Sequence, residues 1–240
     1  MIDVERLASG GQVPLLVADF MRFSAAPRFS ELLSAEANGH SVYQADPVSD
    51  LAGQRVYVPI SDLAREYGRK FLAVDGCDGD VAVIGDCSAA ALALRLGEEL
   101  ASYRAVTVFL VRPAWPDTDM VRTEFLEFRA SLGSPDGTCP DLDADPYRAL
   151  TDMEALLAGA LSALAAAHGL SDASGALGDF LGRYWSWLGF LLASRDDLRR
   201  PFRADARVRV LGEAGFPDDL TADPTVIRCI WQQIDSLRGR

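Results

Sequence analysis

The stretch "VAVIGDCSAAALALRLGEEL" (residues 81–100) decides the fold. "VAVIG" (81–85) is a short continuous apolar run, the pattern of a buried strand. "SAAALALRLGEELAS" (88–102) is rich in strong helix formers. Between them, Asp86 and Cys87 leave room only for a tight strand-to-helix turn. Working outward, "AVTVFLVRP" (105–113) reads as the strongest strand in the chain. Upstream, "ISDLAREYGRKFLAV" (60–74) is a helix with Leu63, Tyr67, Phe71 and Val74 on one face and Ser61 as its N-cap. "HSVYQADP" (40–47) is a strand closed by Pro47. "SAAPRFSELLSAEANG" (24–39) is a helix stopped by Asn38-Gly39, and "QVPLLVADF" (12–20) is a buried strand. The order β-α-β-α-β-α-β implies a parallel, doubly wound sheet with helices on both faces.

After Pro113 the texture changes. Helical patterns cover 117–133, 147–169 and 176–194, with a Pro/Asp/Gly-rich loop at 134–146. The alternation then returns as a strand within "ARVRVLGEAG" (206–215) and a closing helix, "DPTVIRCIWQQIDSL" (223–237). The expectation is one α/β domain over 1–240 with a helical insertion at 114–200.

A chain of 240 residues is long enough for one substantial core. Its net charge of −12 argues against nucleic acid, because phosphate contacts need a basic face. No early apolar run carries the flanks of a secretory signal, and no uncharged stretch of about 20 residues suggests a membrane span. Cys77, Cys87, Cys139 and Cys229 have neither disulfide-framework nor zinc-ligand spacing. With only His40 and His168 beside them, the sequence points to no metal and no cofactor, and to a reducing cytoplasm.

The string Gly85-Asp86-Cys87-Ser88-Ala89 approaches the nucleophile-elbow pattern G-x-S-x-G, with Cys for Ser and Ala89 for the second Gly. Such a turn packs its helix tightly on neighbouring strands, so Gly85, Ser88, Ala89 and Ala90 are suitably small. The amide after the nucleophile, that of Ser88, opens the helix and points where an oxyanion would form. The same pattern also fits an inert, buried cysteine.

In order and spacing, "VPLLVADFMRFSAAPRFSELLS", "HSVYQADP", "ISDLAREYGRKFLAV", "VAVIGDCSAAALALRLGEEL" and "AVTVFLVRPAWP" resemble the thioesterase domains of nonribosomal-peptide and polyketide assembly lines, members of the α/β-hydrolase superfamily. The resemblance implies an α/β-hydrolase-type sheet and a lid in the 114–200 segment. It also implies an acyl or peptidyl carrier protein as partner, bearing a phosphopantetheine-bound substrate. Cys87 takes the nucleophile's place, and Phe20 offers the second oxyanion amide beside Ser88.

The departures are specific. The opening loop reads Ala18-Asp19-Phe20-Met21-Arg22, without the family's glycines. The acid's position after the elbow helix and strand is Arg112; relatives with a later acid point instead to Glu213, Asp218 or Asp219. No histidine occupies the family's position, where Ala214 or Gly215 stands. His168 reads either as a cap on its helix or as a lid histidine reaching Cys87, and His40 reads as a surface loop residue. Asp86 is either a solvated acid or a group that orients an attacking partner. "RYWSWLGFLL" (183–192) is a core helix, an acyl-channel wall or a partner surface, and "RDDLRRPFRADARVR" (195–209) is a solvated face or a dock for an acidic carrier protein. Two functional readings follow: acyl transfer or hydrolysis through Cys87, or a catalytically degenerate fold retained as a binding or scaffolding partner.

Overall fold

The computed structural model describes residues 2–20, 27–54, 56–74, 79–134, 137–143, 145–169, 174–202, 206–211 and 224–237. Among the described residues six strands form one sheet: β1 (Glu5–Ala8), β2 (Leu15–Ala18), β3 (Val42–Ala45), β4 (Val81–Asp86), β5 (Val106–Val111) and β6 (Arg207–Leu211). Their order across the sheet is β1-β3-β2-β4-β5-β6. All pairs are parallel except β1 with β3, which is antiparallel and irregular between Arg6 and Ala8. The helices are α1 (Phe29–Ala35), α2 (Pro47–Leu51), α3 (Ile60–Val74), α4 (Ala90–Ala101), α5 (Thr118–Ser131), α6 (Pro146–Ala167), α7 (Ser174–Asp197) and α8 (Pro224–Asp235).

The four inner strands are buried along their whole length, which is why they read as unbroken apolar runs rather than alternating ones. On one face Leu15, Val17, Ile84, Phe109 and Val111 join Phe29 and Leu33 of α1 and Ile227, Ile230, Trp231 and Ile234 of α8 in a single core. α4 packs on β4 and β5, and α3 packs on α4. Glycines permit this closeness: a Cβ on Gly97 would stand 2.3 Å from Val108 Cγ2, and one on Gly68 would stand 2.9 Å from Glu99 Cγ. α1 thus turns to one side from β2 and the chain recrosses beside it into β4. The reversal of strand order falls between β2 and β4, the place where open α/β sheets form their ligand crevice.

Some local readings need correction. α3 has the expected bounds, but Ile60 already lies in it, so Ser61 sits inside the first turn. Leu63, Tyr67 and Phe71 are buried as the pattern requires, whereas Val74 is 41% exposed. Asn38 and Gly39 adopt φ of +46° and +90°, the left-handed conformation that ends α1's segment. β1 and α2 were not anticipated.

The chain divides into two compact units. The first comprises 1–47, 60–115 and 200–240 and holds the sheet; the second comprises 48–59 and 116–199. The second therefore draws on 48–59 as well as on the helical insertion. Tyr57 explains why: its hydroxyl donates to Asp196 Oδ2 of α7 at 2.9 Å, and its ring meets Tyr147 edge-on at 5.4 Å. Within this unit Arg195, only 7% exposed, donates to Leu142 O at 2.8 Å and pairs with Asp196 at 2.9 Å. Tyr184, Trp185, Trp187, Leu188 and Phe190 are buried, so most of the "RYWSWLGFLL" side chains are withdrawn from the surface. α6 is long and apolar enough to cross a membrane by length and composition, with a mean hydropathy of 1.4 over its best window. Its buried residues Ala149, Leu150, Met153, Leu157, Ala160 and Leu161 recur on one face, however, and α6 packs on α7, with Leu150 beside the position a Cβ on Gly189 would take.

Candidate active site

The carboxyl edge of the sheet gathers most of the sequence-derived candidates through strand register. Ala18 of β2 pairs with Ala45 of β3 and with Gly85 of β4, and Asp86 pairs with Val111 of β5. One residue further on, Asp46, Asp19 and Asp86 stand in a row. The next step places Phe20 and Cys87 on neighbouring strand ends, with Arg112 beside Cys87.

Cys87 opens a 3-10 turn, Cys87–Ala89, that runs directly into α4. Its φ is +54°, a left-handed conformation that an L-residue with a Cβ adopts only when the surroundings impose it. The surroundings do so here. The Cys87 carbonyl accepts the Ala114 amide at 3.1 Å, tying the turn to the segment after β5. Below it, a Cβ on Gly85 would lie 2.5 Å from Ala93 Cβ, 3.0 Å from Ala89 O and 3.1 Å from Ala90 Cα, so the turn is as tight as the small-residue pattern demands. Cys87 is partly exposed, and Ser88 directs its hydroxyl at Cys87 Sγ from 3.9 Å. Asp86 makes no capping bond to the helix, which leaves first-turn amides such as that of Ser88 without a side-chain cap.

Asp86 is 4% exposed, not solvated, and its Oδ1 lies 3.9 Å from Arg112 Nη2. Arg112 also has a left-handed backbone, φ +43°, and its amide donates to Leu211 O at 2.9 Å. Among the described residues only Asn38, Cys87 and Arg112 combine a side chain with positive φ, and two of the three are neighbours at this edge.

Phe20, 8% exposed, donates its amide to Asp19 Oδ1 at 2.8 Å. The same carboxylate accepts Ser30 N at 2.9 Å and Ser30 Oγ at 3.0 Å through Oδ2, pinning the start of α1. An oxyanion at Cys87 would therefore compete with Asp19 for the Phe20 amide. Burial pushes the Asp19 pKa up, opposed by these hydrogen bonds and assisted by the nearby charge of Asp46. Asp46 itself pairs with Arg28 at 3.3 Å. The roles of Asp19, Asp46 and Arg28 are not legible in the sequence; the signal for the two acids is that each, like Asp86, stands at the end of a β-strand run.

The other candidates lie elsewhere. Glu213, Asp218 and Asp219 fall outside the described residues. His168 is the exposed C-cap of α6 in the second unit. His40 is not a surface residue: it is 1% exposed, with Nδ1 3.0 Å from Val13 O and Nε2 3.1 Å from Asp235 Oδ1, and its ring lies 4.8 Å from that of Trp231. It precedes β3 and so belongs to the amino edge of the sheet, opposite Cys87. A cavity of about 540 Å³ between α3, α4 and Arg200-Pro201 is lined by Ser61, Arg65, Arg95, Glu98 and Ser102, with no elbow residue. Among the described residues no three His, Cys, Asp or Glu side chains gather as a metal ion would need.

The sequence matches no protein-family model, and no curated protein matches it. Solved structures do. The four-domain nonribosomal peptide synthetase holo-AB3403, bound to AMP and glycine, aligns with a TM-score of 0.55 at 15% identity over 98% of this chain. This chain spans 20% of that one. The Vlm2 thioesterase domain with genetically encoded 2,3-diaminopropionic acid, bound with a dodecadepsipeptide, aligns with a TM-score of 0.49 at 16% identity, covering 97% of this chain and 85% of that one. The wild-type Vlm2 thioesterase domain gives 0.48 at 17% identity, covering 98% and 86%. At 15% identity the likeness to the first of these speaks to fold alone, a mixed α/β architecture with a mostly parallel sheet.

Proposed function

We propose that this chain is a thioesterase-like protein of nonribosomal-peptide or polyketide assembly that takes an acyl group from a carrier-protein thioester onto Cys87. The observation that carries this reading is the left-handed Cys87, partly exposed on a strand-to-helix turn at the strand-order reversal of the sheet. Cys87 Sγ attacks the thioester carbonyl, the pantetheine sulfur leaves with the thiol proton, and the acyl group passes from Cys87 to water, an amine, an alcohol or another thiol. A cysteine suits a site short of a base, since a free thiol is intrinsically more nucleophilic and more readily ionised than a serine hydroxyl. The Ser88 amide would hold the tetrahedral oxyanion, with the Phe20 amide available once Asp19 releases it. Acid roles for Glu213 and Asp218 rest on the sequence resemblance, and a base role for His168 rests on reading it as a lid histidine.

A second reading has its own support. His40 is committed to Asp235 and Val13 at the opposite edge of the sheet, so it cannot serve Cys87 in this fold. This favours a degenerate hydrolase kept as a carrier-protein partner. Chromatographic measurement of acid released from an acyl-pantetheinyl carrier protein separates the two. The enzyme reading expects release that disappears in Cys87→Ala. Carrier-protein binding with equal, background release from both chains would establish the scaffold instead.

A further inference from the structure

We propose that Arg112 is the oxyanion-stabilising cation of the Cys87 site, supplying the charge that the occupied Phe20 amide does not; the inference rests on the acyl-transfer reading above. Three observations converge on Arg112. By register it follows β5 where Cys87 follows β4, since Asp86 pairs with Val111, and the Ala114 amide bonded to Cys87 O at 3.1 Å holds the two segments together. Its backbone is bent into the left-handed region, φ +43°, beside the similarly bent Cys87, φ +54°. Strain of this kind persists only where the structure over-determines it, and it gathers at functional sites. Third, the guanidinium is anchored near the elbow: Nη2 stands 3.9 Å from Oδ1 of buried Asp86, the residue before Cys87, while the side chain remains 27% exposed.

The chemistry of the pair selects the role. A guanidinium stays protonated, so Arg112 is neither a base nor an acid. What it offers is fixed positive charge with forked donors, suited to an oxygen that becomes negative. As Cys87 Sγ bonds to the thioester carbon, the C=O π pair moves onto oxygen. That oxygen is stabilised by the Ser88 amide and the Arg112 guanidinium. Its electrons then re-form the carbonyl as the C–S bond to pantetheine breaks, and the departing sulfur carries the proton. Asp86 positions the guanidinium. While Asp19 holds the Phe20 amide at 2.8 Å, Ser88 is the amide donor at hand and Arg112 supplies the remaining stabilisation.

Two reactions of the same thiol test this. Acylation by an acyl-N-acetylcysteamine thioester builds up an oxyanion; alkylation by iodoacetamide does not. Both rates are measured at Cys87 by intact-mass spectrometry in the wild-type chain, Arg112→Gln, Arg112→Lys and Arg112→Gly, the last being at ease at positive φ. Arg112→Gln and Arg112→Gly are expected to lose about 100-fold in acylation, with alkylation unchanged within about 2-fold and partial recovery in Arg112→Lys. Acylation unaffected by either neutral variant overturns the proposal. So does a parallel fall in both reactions, which would place Arg112's effect on the thiol itself. Failure of the wild-type chain to acylate while it still alkylates removes the acyl-transfer reading as a whole, an outcome distinct from these two.

Discussion

Gly85→Ala places a methyl group where the helix after the elbow leaves no room. The new Cβ would sit 2.5 Å from Ala93 Cβ, 3.0 Å from Ala89 O and 3.1 Å from Ala90 Cα, where carbon–carbon contacts are normally about 3.5–4.0 Å. Two of the three obstacles are main-chain atoms and the third is a Cβ, so no side-chain rotation relieves the clash. α4 must shift away from β4 by roughly 1 Å, against the core on which it rests. Overpacking of this kind costs about 1–3 kcal/mol, and the backbone obstacles place this site at the upper end, about 2–3 kcal/mol. Ala93→Gly alone costs about 1 kcal/mol of helix propensity, but it removes the worst contact. The double variant is therefore expected to be more stable than the two losses summed, with a coupling of about 1 kcal/mol. Urea unfolding followed by circular dichroism, compared at constant m, measures all four chains. A Gly85→Ala chain within about 0.5 kcal/mol of wild type, or strictly additive losses, would refute the account of why the turn needs glycine.

Three further outcomes follow. Asp19 has a raised pKa in the fold, so from about pH 4 upward the folded chain holds a proton that the unfolded chain releases, and its stabilising share falls as pH rises through the folded value. The unfolding free energy of wild type relative to Asp19→Asn should therefore decline as pH rises above about 4; a flat or rising difference contradicts the burial argument. His40→Ala removes the ring seated against Trp231 and its bond to Val13, and should destabilise the chain by about 2–3 kcal/mol, read by urea unfolding; Asp235→Asn, at a 56% exposed side chain, should cost under about 1 kcal/mol. Arg195→Ala strips the buried guanidinium from Leu142 O and from Asp196 Oδ1, leaving Asp196 the Tyr57 hydroxyl on Oδ2, and should cost about 2–4 kcal/mol in thermal or urea unfolding.

Most of the sheet was legible because its inner strands are buried on both faces and its crossover helices carry one apolar stripe each. The extent of α3 was readable, since Leu63, Tyr67 and Phe71 recur at helical spacing. β1 was not, because "ERLA" is a half-exposed edge segment whose only strand character is its pairing with β3. The tight turn was legible from residue size: Gly85, Ser88, Ala89 and Ala90 announce a close approach. What surrounds it was not. Arg112 reads as a missing acid until register sets it beside Cys87, and Asp19 reads as the end of a strand until Ser30, 11 residues away, closes on it. His40 follows a turn and looks exposed; its partner Asp235 lies 195 residues further along, a distance no local pattern bridges.

The central claim is that the Cys87 thiol accepts an acyl group. Incubating the chain with an acyl-pantetheine thioester, followed by intact-mass spectrometry and peptide mapping, tests it directly. The account predicts one acyl adduct, mapped to Cys87 and absent from Cys87→Ala, with Cys139 and Cys229 unmodified. An unmodified wild-type chain, or an adduct that survives Cys87→Ala, would contradict it.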